Sequence, residues 1–190
     1  VESIMEKGEF ENYDKCEELI RDAIKIGDGD QGSFEIFTEL EKLLEEDYRH
    51  PVPTGIDGLD NILNGGLAKG EIGVILAPTG VGKTTMLTRF ANTAFNMGYN
   101  VLQIFFEDNP KIIQRKHFTC WTGIVNDELS NHKETVLEKA DEMKKSGGRL
   151  ILKKLPSDEM SMLQIKNQVR KIISEGTKID MVLIDYIDCI

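Results

Sequence analysis

Ala77-Pro78-Thr79-Gly80-Val81-Gly82-Lys83-Thr84 is a run of small and turn-forming residues that ends in a cation and a hydroxyl. Such a loop lets successive backbone N–H groups curl around phosphate oxygens, with Lys83 reaching the outer phosphates and Thr84 offering its hydroxyl to Mg²⁺. Ala77 stands where glycine is usual, a minor departure because the side chain stays small. Upstream, Glu71-Ile72-Gly73-Val74-Ile75-Leu76 is a nearly continuous apolar run and predicts a buried parallel strand. Downstream, Met86, Leu87, Phe90, Ala91, Ala94 and Phe95 recur at three- and four-residue spacing, one face of a helix that Gly98 ends. The start of that helix, with its open N–H groups and positive dipole end, favours phosphate. Strand, loop and helix together predict a core that binds a nucleoside triphosphate.

The rest of the chain sets the bounds. Its 190 residues suffice for one α/β core and a shorter extra segment. Apolar content of 40% and charged content of 29% are ordinary for a globular protein, and no apolar run approaches the length of a membrane helix. No secretory leader opens the sequence, so the expected location is the cytoplasm. Cys16, Cys120 and Cys189, like His50, His117 and His132, are scattered without ligand spacing, which leaves Mg²⁺ carried with nucleotide as the only metal expected.

The formal charge of −10 is unevenly spread. Residues 1–50 hold 16 acidic and 6 basic side chains, and residues 51–190 hold 17 of each. The acidity therefore says little about whether the nucleotide-binding part touches DNA, and it marks residues 1–50 as a separate acidic segment. Two helical patterns fill it: Tyr13, Cys16, Leu19, Ile20, Ala23 and Ile24, then Phe37, Leu40, Leu44 and Tyr48 up to Pro51. Neither can bury its stripe alone. Docking on the chain's own body and docking on a neighbouring subunit are both open readings.

From Pro51 the pattern alternates. A turn-rich lead-in, Thr54-Gly55-Ile56-Asp57-Gly58-Leu59-Asp60 with Gly65-Gly66-Leu67, precedes the strand of the phosphate loop. Strands are then predicted over 100–106, 149–155 and 179–184. Helices are predicted after Pro110, over about 127–145 with Val136, Leu137, Ala140 and Met143 inward, and around Met162, Ile165, Val169, Ile172 and Ile173. That rhythm is a parallel sheet with helices on both faces.

Two carboxylates end apolar strands. Met181-Val182-Leu183-Ile184-Asp185 reads as a Walker B strand, with Asp185 meeting the Mg²⁺ shell at the carboxyl end, and Asp188 is the less apt substitute. Val101-Leu102-Gln103-Ile104-Phe105-Phe106 leads to Glu107, the candidate base for the attacking water. Asp108 is its fallback, and a helix-capping role before Asn109-Pro110 suits Asp108 better.

The lead-in, the loop from Ala77 to Thr85, the strand ending in Glu107 and the pair Asp185-Tyr186 together resemble the RecA-like ATPase of DnaB-type hexameric replicative helicases, most of all those of tailed phages. The resemblance covers residues 51–190, the N-terminal part of a RecA-like domain behind an acidic helical linker. It implies a homohexameric ring with ATP between subunits and single-stranded DNA in the channel, travelled 5′ to 3′. A primase and a helicase loader are the implied partners. Ala77 to Lys83 with Thr84 and Thr85 would bind phosphate, Thr84 and Asp185 would hold Mg²⁺, and Lys83 and Glu107 would act in catalysis. Arg115 matches a basic position in some relatives and stays outside the site. The sensor, channel loops and arginine finger of such a domain would follow Ile190. With Val1 in place of Met, this suggests part of a longer protein. A RecA-like recombinase or clock-type ATPase is the related alternative, because the lead-in occurs there too. A nucleotide-gated assembly module with little turnover is the alternative from another class.

Overall fold

The computed structural model describes Phe37 and residues 49–145, 147–156 and 161–185. The two helices expected within 13–48, and Tyr186 and Asp188, lie outside the described residues. The chain divides into two units, Val1–Glu46 and Asp47–Ile190, and all elements below belong to the second.

The lead-in is held by polar clamps. Val52 and Leu67 form an antiparallel bridge, with N···O distances of 2.8 and 3.1 Å. Only glycine fits at Gly66, where φ is 122° and a Cβ would sit 2.1 Å from the Val52 carbonyl oxygen. The carboxylate of Asp60 in α1 (Asp57–Ile62) accepts from Thr54 N and Oγ1, each at 2.7 Å, and from Gly55 N at 3.0 Å. Those bonds hold Asp60 below the usual carboxylate range although desolvation, the largest single influence, pushes the other way. Arg49 ties the same region together: it pairs with Glu71 at 2.9 Å and donates to the carbonyls of Leu63, Asn64 and Gly66.

The body alternates as the sequence predicts: α2 (Lys83–Asn96), β1 (Val101–Phe105), α3 (Pro110–Thr122), α4 (Lys133–Met143), β2 (Leu150–Lys154), α5 (Met162–Ser174) and β3 (Met181–Asp185). A short 3₁₀ turn, Asn126–Glu128, precedes α4. The strands form a parallel sheet in the order β2-β1-β3, with Val101 opposite both Leu150 and Met181. Buried on both faces, β1 has no exposed residue. Its alternate side chains divide the core. Leu102, Ile104 and Phe106 pack with Ile165, Val169 and Ile172 of α5, whereas Val101 packs with Ala91 and Ala94 of α2. Ile104 is fully buried, and its truncation to Ala costs about 2–5 kcal/mol. A capping box at Ser161 and Gln164 starts α5, and left-handed Gly123 ends α3.

Two expectations change. The segment 71–76 is not a strand: Ile72, Val74 and Leu76 are 88%, 70% and 97% exposed. A strand exists through its ladder bonds, and β3 pairs only with β1 among the described residues. Between β3 and residues 72–77 lies a groove of about 300 Å³, lined by Ile72, Val74, Leu76 and Val182 among others. Second, α4 begins at Lys133 rather than 127, and Leu137 points outward at 65% exposure. Val136, Ala140 and Met143 share the inner, half-buried face.

Candidate nucleotide-binding site

Residues 78–82 are an exposed loop whose glycines supply the backbone freedom: φ is 84° at Gly80 and 103° at Gly82. Gly82 is the N-cap of α2 and brings no capping side chain, so the N–H groups at the start of the helix stay open to an anion. Thr84 and Thr85 stand in that first turn. The ammonium of Lys83 folds back and donates to the Ala77 carbonyl oxygen at 3.0 Å, across the mouth of the loop.

Asp185 ends β3 opposite Phe105 of β1, and its backbone carbonyl accepts from Phe106 N at 3.3 Å. Ala77, Lys83 and Asp185 all line the groove beside β3. The structure therefore brings together the loop's first residue, its lysine and the carboxylate expected to end a Walker B strand. The Thr84 hydroxyl and the Asp185 carboxylate are hard oxygen donors, and Mg²⁺ takes few protein ligands while keeping waters and phosphate oxygens. The donor set fits that ion.

Glu107 lies two residues beyond Phe105, at the same carboxyl edge of the sheet, and it is exposed. It does not line the groove. Lys154 of β2 donates to the Glu107 backbone carbonyl at 3.1 Å and so steadies the turn that carries it. The capping acid expected at Asp108 is replaced by Asn109, whose side chain accepts from Lys111 N at 2.9 Å. Asp108 instead pairs with Lys116 at 2.9 Å. Arg115 bonds Asn126 and Ser130, which ties α3 to the 3₁₀ turn and accounts for it without a role at the site.

The family described as "ATPase: KaiC" matches residues 52–190. The chain belongs to this ATPase family. Membership carries the RecA-like core and nucleotide binding. Among curated proteins, the chain is similar to the DNA repair protein RadA of Aquifex aeolicus, 31% identical over 131 residues, which are 69% of the chain and 26% of that protein. It is also similar to RadA of Mycolicibacterium smegmatis, 33% identical over 98 residues (50% and 21%), and of Mycobacterium tuberculosis, 37% over 59 residues (31% and 12%). The chain thus spans about a quarter or less of the length of these relatives. The relatives carry a repair name, so the sequence resemblance holds at the level of a KaiC-type, RecA-like ATPase; the DnaB-type and phage part of it has no support from them. No described helix is long and apolar enough to cross a membrane.

Sequence reading missed several polar residues of this KaiC-type ATPase. Lys154 was legible in principle as a cation at the end of a strand pairing with β1. Asn92, Gln103 and His117 meet only in three dimensions, and no spacing rule links them.

Proposed function

We propose that this chain is the nucleotide-binding part of a RecA-like motor that hydrolyses ATP to drive a DNA transaction of the recombination and repair kind. The observation that carries this reading is one groove lined by Ala77, Lys83 and Asp185 within a stretch that matches the KaiC-type ATPases. The repair name of the RadA relatives supports the DNA part.

In this mechanism the loop from Ala77 to Gly82 and the first N–H groups of α2 hold the phosphates, with Thr84 and Thr85 at the phosphate end. On nucleotide binding, Lys83 exchanges the Ala77 carbonyl for a phosphate oxygen. Thr84 and Asp185 hold Mg²⁺, which when bound offsets charge on the outer phosphates. Glu107 orients a water and accepts its proton as the oxygen attacks the γ-phosphorus. The bond to the β-phosphate oxygen breaks, and ADP and inorganic phosphate leave. The second side of the site comes from a neighbouring copy in a ring, and single-stranded DNA passes through that assembly. Residues 1–50 form the acidic segment that precedes the ATPase domain beginning at 51.

The replicative helicase is the second reading. It rests on the conjunction of Asp185-Tyr186 with Ala77 at the first loop position. Travel 5′ to 3′, a hexamer, a primase and a loader belong to that reading alone. Two assays separate the readings. Glu107→Gln should keep nucleotide affinity within about threefold and lower turnover by about 10²-fold or more; unchanged turnover removes Glu107 from catalysis. With the full-length protein, joint-molecule formation without unwinding supports the recombination reading. Forked-duplex unwinding supports the helicase.

A further inference from the structure

His117 of α3 is 1% exposed, and its ring touches two other buried polar side chains. Nδ1 lies 2.7 Å from Oδ1 of Asn92 in α2, and Nε2 lies 3.0 Å from Oε1 of Gln103 in β1. Asn92 is 2% exposed and Gln103 is 0% exposed. A neutral imidazole carries one N–H and one lone pair, so it donates to one carboxamide oxygen and accepts from the NH₂ of the other. Nδ2 of Asn92 and Nε2 of Gln103 have no other partner among the described residues, which leaves either carboxamide free to turn its NH₂ to the ring. Beside them Phe95 and Phe118 stack about Trp121, whose ring centroid is 5.8 Å from that of His117, and His117 also lines a cavity of about 530 Å³ with Gln114, Lys144 and Arg149.

Two of the three elements joined here, α2 and β1, lead to the candidate chemistry. α2 begins at Lys83 and Thr84, and Glu107 lies two residues beyond the end of β1 at Phe105. α2 and β1 also share a hydrophobic cluster through Ala91, Ala94 and Val101, small apolar groups whose attraction is non-directional. A directional bond pair among buried groups fixes the register, because any slip leaves buried polar groups unpaired.

We propose that His117 is a positioning residue. Bridging Asn92 and Gln103, it sets the helix that presents Lys83 and Thr84 against the strand that presents Glu107. The inference rests on the assignment of those three residues to the ATP site. None of the three side chains lines the groove beside β3, so loss of the bridge alters the alignment of the reacting groups and leaves the loop itself intact.

The test uses the full-length, assembled protein and three variants. His117→Phe keeps size but strands both carboxamides. His117→Gln keeps a donor and an acceptor. The triple variant Asn92→Leu/Gln103→Met/His117→Phe replaces the whole network by apolar groups and removes the stranded ones. Expected for His117→Phe is a drop in kcat of about tenfold or more, the scale of a sub-ångström misplacement, with the Kd of a non-hydrolysable ATP analogue within about threefold. The glutamine variant should recover part of kcat. The decisive comparison is the triple variant, which should regain Tm yet stay slow. If kcat returns with Tm, the network is a packing feature only and the inference is overturned. Spin labels at Thr85 and Lys111 supply a readout independent of turnover: their distance distribution should broaden in His117→Phe and in the triple variant, and an unchanged width overturns the inference even if ATP is not the substrate. A wild-type protein without turnover but with the predicted broadening would count against Glu107 as base and not against the bridge.

Discussion

The same histidine makes a sharp prediction about acid. Burial holds the His117 imidazole well below its ordinary value, at about 4 instead of 6.5. Because the folded protein resists protonating a ring that the unfolded chain protonates readily, the associated stability is complete above the unfolded value and is lost as pH falls. With those two values, stability drops by about 2 kcal/mol between neutral pH and pH 5 and by about 3 kcal/mol at pH 4, below which the loss levels off. The carboxylates act in a lower window. Glu71, bonded to Arg49, titrates at about 2, and Asp60, Asp141 and Asp180 are also lowered, so their contributions fade only as pH falls below the ordinary carboxylate range. Urea unfolding at pH 7.5, 6, 5 and 4.5 should therefore show a decline between pH 6.5 and 4.5 in wild type that is largely absent in His117→Gln. Parallel curves for the two proteins would refute the reasoning, since a variant without the imidazole cannot share its titration.

Other expectations concern the loop and its lead-in. Lys83→Ala should weaken binding of a non-hydrolysable ATP analogue by at least about tenfold in calorimetry, because it removes the ammonium that now donates to Ala77 at the mouth of the loop. Asp60→Ala removes an acceptor shared by three donors and should lower unfolding free energy by about 2 kcal/mol, read in urea. Gly66→Ala meets both a positive φ and the Val52 carbonyl, so a loss of more than about 2 kcal/mol, or failure to fold, is expected in the same assay. Asp108→Asn, by contrast, breaks a half-exposed pair with Lys116 and should shift stability by less than about 1 kcal/mol.

What the sequence made legible follows from how far each signal reaches. The glycine-containing loop and α2 were readable because small residues, a lysine and an apolar period are local patterns. So were β1, β2 and β3, which are short apolar runs between turn signals. Residues 71–76 carry the same apolar signal, yet a strand needs a partner as well as a composition, and the partner is not a property of the segment. Leu137 shows the opposite limit: an apolar residue one position off the stripe of Val136, Ala140 and Met143 turns to solvent. The cap before α3 fell to Asn109 and not Asp108 because Pro110 occupies the first helical position, which fixes the cap immediately before it. The bridge of Asn92, Gln103 and His117 was out of reach, since buried polar residues look in sequence like surface ones.

The groove beside β3 bears on how assembly is measured. One wall carries Ile72, Val74 and Leu76, and Val182 of β3 is 40% exposed on the other. Exposed apolar side chains next to a strand edge that has no ladder partner among the described residues invite another chain to pair there. Pairing of that kind has no fixed stoichiometry and grows with concentration, whereas a ring closes at one number of subunits and then stops. Molecular mass for these 190 residues would therefore mix edge pairing with the proposed ring. A species that keeps its size across a dilution series reports the ring, and a ladder of sizes reports the edge.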